Sequence, residues 1–150
     1  MMKIDFGRLA TIVGALLLII AAGPAWAQRS TVEFSPNLMG QITFVMPSFN
    51  IECTYTPEGG TLVYRPFDGG PELSCDRREL HYLRFVLTPK SLRRFDHVGD
   101  QGCCGVDNVL TYGARWSRGP FTCISAASGL RCMRKDGRGF VIGRKHARRL

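Results

Sequence analysis

The sequence predicts an all-β fold, mainly antiparallel, built as a small disulfide-stabilised β-sandwich or open barrel. Three observations predict it. Short runs of β-branched and aromatic residues recur about every ten residues, turn-forming clusters separate them, and an even set of six cysteines lies beyond the leading apolar stretch. The 150 residues are 45% hydrophobic and 21% charged, which fits a single globular domain and excludes a disordered charged polymer.

The chain begins with a routing signal. Lys3 and Arg8 precede an uncharged stretch, residues 9–27, whose densest part reads TIVGALLLIIAA before Gly23 and Pro24 break it. Ala25-Trp26-Ala27 then supplies a small-x-small cleavage pattern. These are the three parts of a secretory signal peptide, so cleavage is predicted after Ala27 and the product is expected in the periplasm or outside the cell. A spanning helix needs roughly 20 apolar residues, a length reached here only across the Gly-Pro break. Residues 28–40, with Pro36 and no helical period, read as an extended leader, 41–143 as the β domain, and 144–150 as a basic tail.

Strands are predicted at 41–46, 51–56, 61–65, 72–75, 81–88, 106–112, 121–124, 130–134 and 140–142. PSFN, TPEGG, DGGP, the stretch 99–105, SRGP, ASG and KDGRG separate them, and these are turn residues. In 81–88, Leu83, Phe85 and Leu87 face one side, with Arg84 and Thr88 on the other, as a half-buried strand requires. One short helix is predicted over 88–96, where Pro89 suits a first turn and Leu92 and Phe95 stand at i and i+3.

Six cysteines in an oxidising compartment argue for disulfides, with 15 connectivities open to sequence alone. Cys123 and Cys132 bracket a small-residue turn between two strand-like runs, so they can face each other across a hairpin. Joining Cys53 to Cys75 would close a compact loop around two turn signals. On the chain-entropy model each bridge stabilises by roughly 3 kcal/mol. Cys103 and Cys104 are adjacent. Their Cα atoms are about 3.8 Å apart across a trans peptide, below the usual disulfide range, so a bond between them would be strained and easier to reduce. Two free thiols, or separate distant partners, are the alternatives. Gly102 and Gly105 would give the backbone the freedom a vicinal ring needs.

From residue 42 to 143, several short pieces occur in a characteristic order. They are Phe44-Val45-Met46-Pro47-Ser48-Phe49-Asn50-Ile51-Glu52-Cys53, Cys75-Asp76, Cys104-Gly105-Val106-Asp107, Leu110-Thr111-Tyr112-Gly113, Phe121-Thr122-Cys123, Gly129-Leu130-Arg131-Cys132 and Gly137-Arg138-Gly139-Phe140. Together they resemble a family of small secreted bacterial proteins classified only as a domain of unknown function. The chain departs from that pattern at Phe49, where Gly usually sits, and at Arg138, where His is common. The resemblance implies a β-rich, disulfide-bonded secreted fold. It implies no activity that can be carried onto particular residues.

No catalytic, cofactor or metal site is expected. A Cys–His nucleophile would need a free thiolate at Cys103 or Cys104 beside His97, and oxidation opposes that. Asp96, His97, Asp100, Cys103 and Cys104 match no closed zinc spacing. Nothing in the sequence joins Glu52, Glu58, Glu72 or Glu79 into a glycosidase pair, and no nucleophile elbow or P-loop is present. Charge is more informative. Residues 131–150 hold Arg131, Arg134, Lys135, Arg138, Arg144, Lys145, Arg148 and Arg149 against Asp136 alone, whereas residues 28–130 hold 10 basic and 10 acidic side chains. The expectation is therefore a non-enzymatic exported module that contacts an anionic envelope surface or polymer through its basic C-terminal segment. Export makes nucleic acid an unexpected partner. The alternatives are a thiol-dependent redox or metal protein using Cys103, Cys104 and His97, and an inhibitor of a secreted hydrolase.

Overall fold

The computed structural model describes residues 30–150; the expected signal peptide and its cleavage point lie outside the described residues. Within the described residues the regular structure is strand and no helix occurs. After β1 (Thr31–Val32), the chain lays down β2 (Ile42–Val45), β3 (Ile51–Thr56), β4 (Glu72–Arg77), β5 (Leu83–Leu87) and β6 (Leu92–Phe95) as a five-stranded antiparallel meander. It then crosses over to build β7 (Arg115–Arg118), β8 (Phe121–Ala126), β9 (Gly129–Arg134), β10 (Gly139–Ile142) and β11 (Ala147–Arg149). This second sheet has six strands, because β1 adds to its edge in parallel with β7.

Strand alternation turns one face of each sheet inward. Cys53 and Tyr55 in β3, Leu83, Phe85 and Leu87 in β5, and Phe121 and Cys123 in β8 are buried, while the residues between them are less so. The two inner faces meet through rings. Phe85 of β5 stacks on Phe140 of β10 at 4.6 Å, and Phe44 of β2 tilts against Trp116 of β7 at 4.9 Å. Burying one such aromatic side chain stabilises by about 1.5–3 kcal/mol, so these contacts, rather than any single hydrogen bond, hold the layers together.

The structure contains three disulfides, Cys53–Cys75, Cys123–Cys132 and Cys103–Cys104. The first two join residues directly opposite on neighbouring strands, β3 with β4 and β8 with β9. Sulfurs of Cys53, Cys75 and Cys132 lie within 4.8 Å of one another, so the two bridges back each other across the core.

Arginine side chains also tie one sheet to the other. Arg77 of β4, buried without a carboxylate partner among the described residues, donates to the carbonyl oxygens of Gly143 at 3.0 Å and His146 at 3.5 Å. Arg94 of β6 donates to the Ala147 carbonyl at 3.1 Å. At the other end of the sandwich, Arg134 of β9 donates to the carbonyls of Thr88 and Pro89 at 3.0 and 3.1 Å.

Three expectations about elements are corrected. Residues 88–96 form a turn and β6, not a helix. The Thr88 hydroxyl accepts from the amides of Lys90 and Ser91, which reverses the chain onto β5, where a full ladder outweighs the two apolar contacts a helix would offer. Residues 61–65 form a corner instead of a strand, because the Thr61 hydroxyl accepts from the Val63 and Tyr64 amides. Residues 106–112 make a single parallel bridge, Val109 to Val45, and spend the rest of their length crossing between sheets. Short strands also occur in the extended leader and in the basic tail. Residues 31–32 of the leader pair with β7, and residues 147–149 of the tail pair with β10. Their short lengths hide the period of two.

Candidate functional site

Two surfaces and one vicinal cysteine pair compete as the site. The outer face of the five-stranded sheet is a groove of about 440 Å³. Cross-strand register builds it in rows. Glu52, Asp76, Arg84 and Phe95 form one, and Thr54, Ser74, Val86 and Arg93 form the next. Loops wall it, bringing Tyr64 on one side and His97 on the other.

The groove's polar groups are largely spent on one another. Arg84 clasps Asp76 through Nε at 2.6 Å and a terminal nitrogen at 2.7 Å, and the Tyr82 hydroxyl donates to the same carboxylate at 2.8 Å. Burial and that bond push the Tyr82 phenol up to about 12. The Tyr64 hydroxyl donates to Glu72 at 2.8 Å, and burial together with Glu72 likewise raises Tyr64 to about 12. Glu52 accepts from the Gly105 amide at 3.0 Å. Burial raises the carboxyls of Glu52 and Glu72 above the ordinary carboxylate value. These pairings make the groove a self-neutralising polar layer.

The Cys103–Cys104 pair sits at its margin, where the Cys103 amide donates to the Tyr82 hydroxyl at 3.3 Å. The residue beside the sulfurs is Glu52, with ligand atoms within 4.8 Å, and His97 is not in that group. Both sulfurs are bonded to each other, so neither presents the thiolate that nucleophilic or metal chemistry requires.

The outer face of the six-stranded sheet is different. Register places Arg115 opposite Ile124, Ile124 opposite Arg131, Arg131 opposite Val141, and Val141 opposite Arg148. Three arginines thus stand in one row across five strands, separated by aliphatic residues. With strands about 4.8 Å apart, successive arginines are about 10 Å apart at the backbone. All three are exposed, and within the described residues no carboxylate pairs with them. Flanking Thr122 and Met133, in the adjacent row, are uncharged.

The eight basic residues singled out from the sequence divide by position. Arg131 and Arg148 stand in the row. Lys135 and Arg138 are exposed in the β9–β10 turn, Lys145 in the β10–β11 turn, and Arg149 at the end of β11. Arg134 is buried and bound to Asp136 at 2.7 Å, so it serves the fold. Arg144 pairs with Glu79 at 3.1 Å. Arg115, the third member of the row, escapes a reading by charge runs because residues 28–130 are neutral as a block. Its signal is the alternation Arg115-Trp116-Ser117, polar on either side of a core residue.

Fold and surface together define a small disulfide-bonded β-sandwich with a basic outer face, on which Glu33 stands at the edge near Arg115 without an ion pair to it among the described residues. Compared with family models, curated proteins and solved structures, the chain has no match in any of the three. That outcome is consistent with the uncharacterised family its motifs resemble, and nothing in it identifies that family.

Proposed function

We propose that this is a non-enzymatic envelope-associated module, exported with cleavage after Ala27, that holds anionic surfaces through the arginine row of its six-stranded sheet. The observation that carries the reading is the row itself, Arg115, Arg131 and Arg148 exposed on one face with no ion pair to a carboxylate among the described residues. Planar guanidinium groups at fixed spacing suit phosphate, sulfate and carboxylate groups on a repeating surface. Three disulfides fit an oxidising compartment, and within the described residues no helix is long and apolar enough to cross a membrane.

The test is retention of the exported protein on a sulfated polysaccharide and on phosphatidylglycerol vesicles across a salt series. Neutralising R115Q, R131Q and R148Q together removes about 1 kcal/mol per arginine, so binding should weaken by about a hundredfold and its salt dependence should flatten. Unchanged retention, or none in the parent protein, overturns the reading.

A further inference from the structure

One end of the sandwich presents large apolar side chains where turn chemistry calls for Gly, Asn or Asp. Three neighbouring corners share the feature. In the first, the Gly40 amide donates to the Asn37 carbonyl at 2.9 Å, which leaves Leu38 and Met39 at the apex. In the second, the Thr61 amide donates to the Tyr64 carbonyl at 2.7 Å, with Leu62 and Val63 between them. The third closes from the Gly69 amide to the Pro66 carbonyl at 3.1 Å around Phe67. Leu38 is fully exposed, and Leu62, Val63 and Phe67 are 94%, 86% and 81% exposed. Leu38, Met39 and Leu62 line one shared depression, which joins the first two corners, and the Gly59 amide donates to the Gly69 carbonyl at 2.9 Å, which ties the third corner to the loop of the second.

The corners are held, not loose. The Asn37 carboxamide oxygen accepts from the amides of Met39 and Gln41, and the Thr61 hydroxyl from those of Val63 and Tyr64. Apolar side chains displayed on pinned turns bury nothing in the monomer, which marks a contact surface.

Its rim is basic. Arg65 and Lys90 are exposed beside it, and the Arg93 guanidinium lies over the Phe67 ring at 4.7 Å. The bonds from Arg134 to Thr88 and Pro89 bring the β9–β10 turn, with Lys135 and Arg138, to the same end. Of the acids there, Asp68 is engaged by the Thr88 hydroxyl and Asp136 by Arg134, leaving Glu58 exposed and without a hydrogen-bonded or ion-paired partner among the described residues.

We propose that this end docks on an anionic lipid bilayer, with Leu38, Met39, Leu62, Val63 and Phe67 entering the headgroup–acyl boundary and the basic rim contacting lipid phosphates. A second copy of the chain would set one basic rim against another, whereas an anionic bilayer complements both the apolar corners and their charge. The inference rests on the envelope reading above and names its partner, through a different surface from the arginine row.

The experiment places a tryptophan reporter at the apex. In the exported F67W protein, phosphatidylglycerol vesicles should shift the reporter's emission to the blue, and bromine-labelled acyl chains should quench it; Trp116, 1% exposed, gives a constant background. L62S with V63S should weaken vesicle binding about tenfold or more, with unchanged binding to the sulfated polysaccharide. Vesicle binding without an emission shift, or unchanged vesicle binding by the serine variant, overturns the docking. Polysaccharide binding without any vesicle binding also overturns it while leaving the arginine row in place. Lipid-buried F67W in a protein indifferent to the arginine substitutions has the reverse meaning.

Discussion

Phe49 occupies the left-handed region at φ +51°, in the turn between β2 and β3 where the resembled family usually has Gly. An L-residue pays a steric cost there that glycine avoids, about 1 kcal/mol, and Phe49 is 47% exposed, so little burial offsets it. F49G should therefore raise the melting temperature by about 4 °C, read by circular dichroism. An unchanged or lower value would mean that the ring's packing outweighs its backbone.

Glu72 makes a second residue-scale prediction. Burial raises its carboxyl above the ordinary value, and the Tyr64 bond only partly offsets that. The folded protein then holds a proton that the unfolded chain has lost, so Glu72 contributes a fall in stability as pH rises from the ordinary carboxylate value through the raised one. E72Q removes this contribution. The stability of E72Q relative to the parent should rise with pH across that window and stay level on either side, measured by denaturant unfolding at several pH values. A difference that does not vary with pH would show that Glu72 is not titrating in the window.

At the scale of elements, β11 shows why charge and architecture must be separated. Its residues carry Arg148 and Arg149, yet the Ala147 carbonyl accepts from Arg94 and the Leu150 amide donates to the Gly139 carbonyl. Removing residues 144–150 should thus destabilise the protein by about 1–3 kcal/mol in urea unfolding, whereas R148Q and R149Q should leave stability within about 0.5 kcal/mol. Equal losses from both would make the strand's pairing irrelevant. Elements were legible where alternation ran for five or six residues. β3 was read to the residue, and β5, β8 and β9 to within a few. β1, β7 and β11 are too short to show a period, and β6 was read as a helix because Leu92 and Phe95 satisfy an i, i+3 spacing while facing opposite sides of a strand. The corner at 62–63 looked like a strand because its residues are strand formers placed for exposure.

For the whole molecule, the two outer faces carry opposite solutions to the same problem. The five-stranded sheet engages its polar groups internally, Asp76 in an ion pair with Arg84 and Glu72 in a hydrogen bond from Tyr64, while the six-stranded sheet leaves three arginines without an ion pair within the described residues. Between them, the Arg77, Arg94 and Arg134 bonds tie one layer to the other, and two disulfides, each closed within its own sheet, pack against each other in the core. Rigidity is what gives the arginine row a fixed spacing and the apolar corners a fixed direction.

The sequence by itself determined the fold class and made the Cys53–Cys75 and Cys123–Cys132 pairings readable, because alternation, turn chemistry and hairpin closure act over a few residues. Tertiary structure alone decided which charges are free. Arg115 and Arg148 lie 33 positions apart in the chain, and only cross-strand register puts them in one row. It likewise buried Arg134 within the same basic segment that leaves Arg131 in solvent, because neighbouring strand positions point to opposite faces and a side chain's partners depend on what packs there.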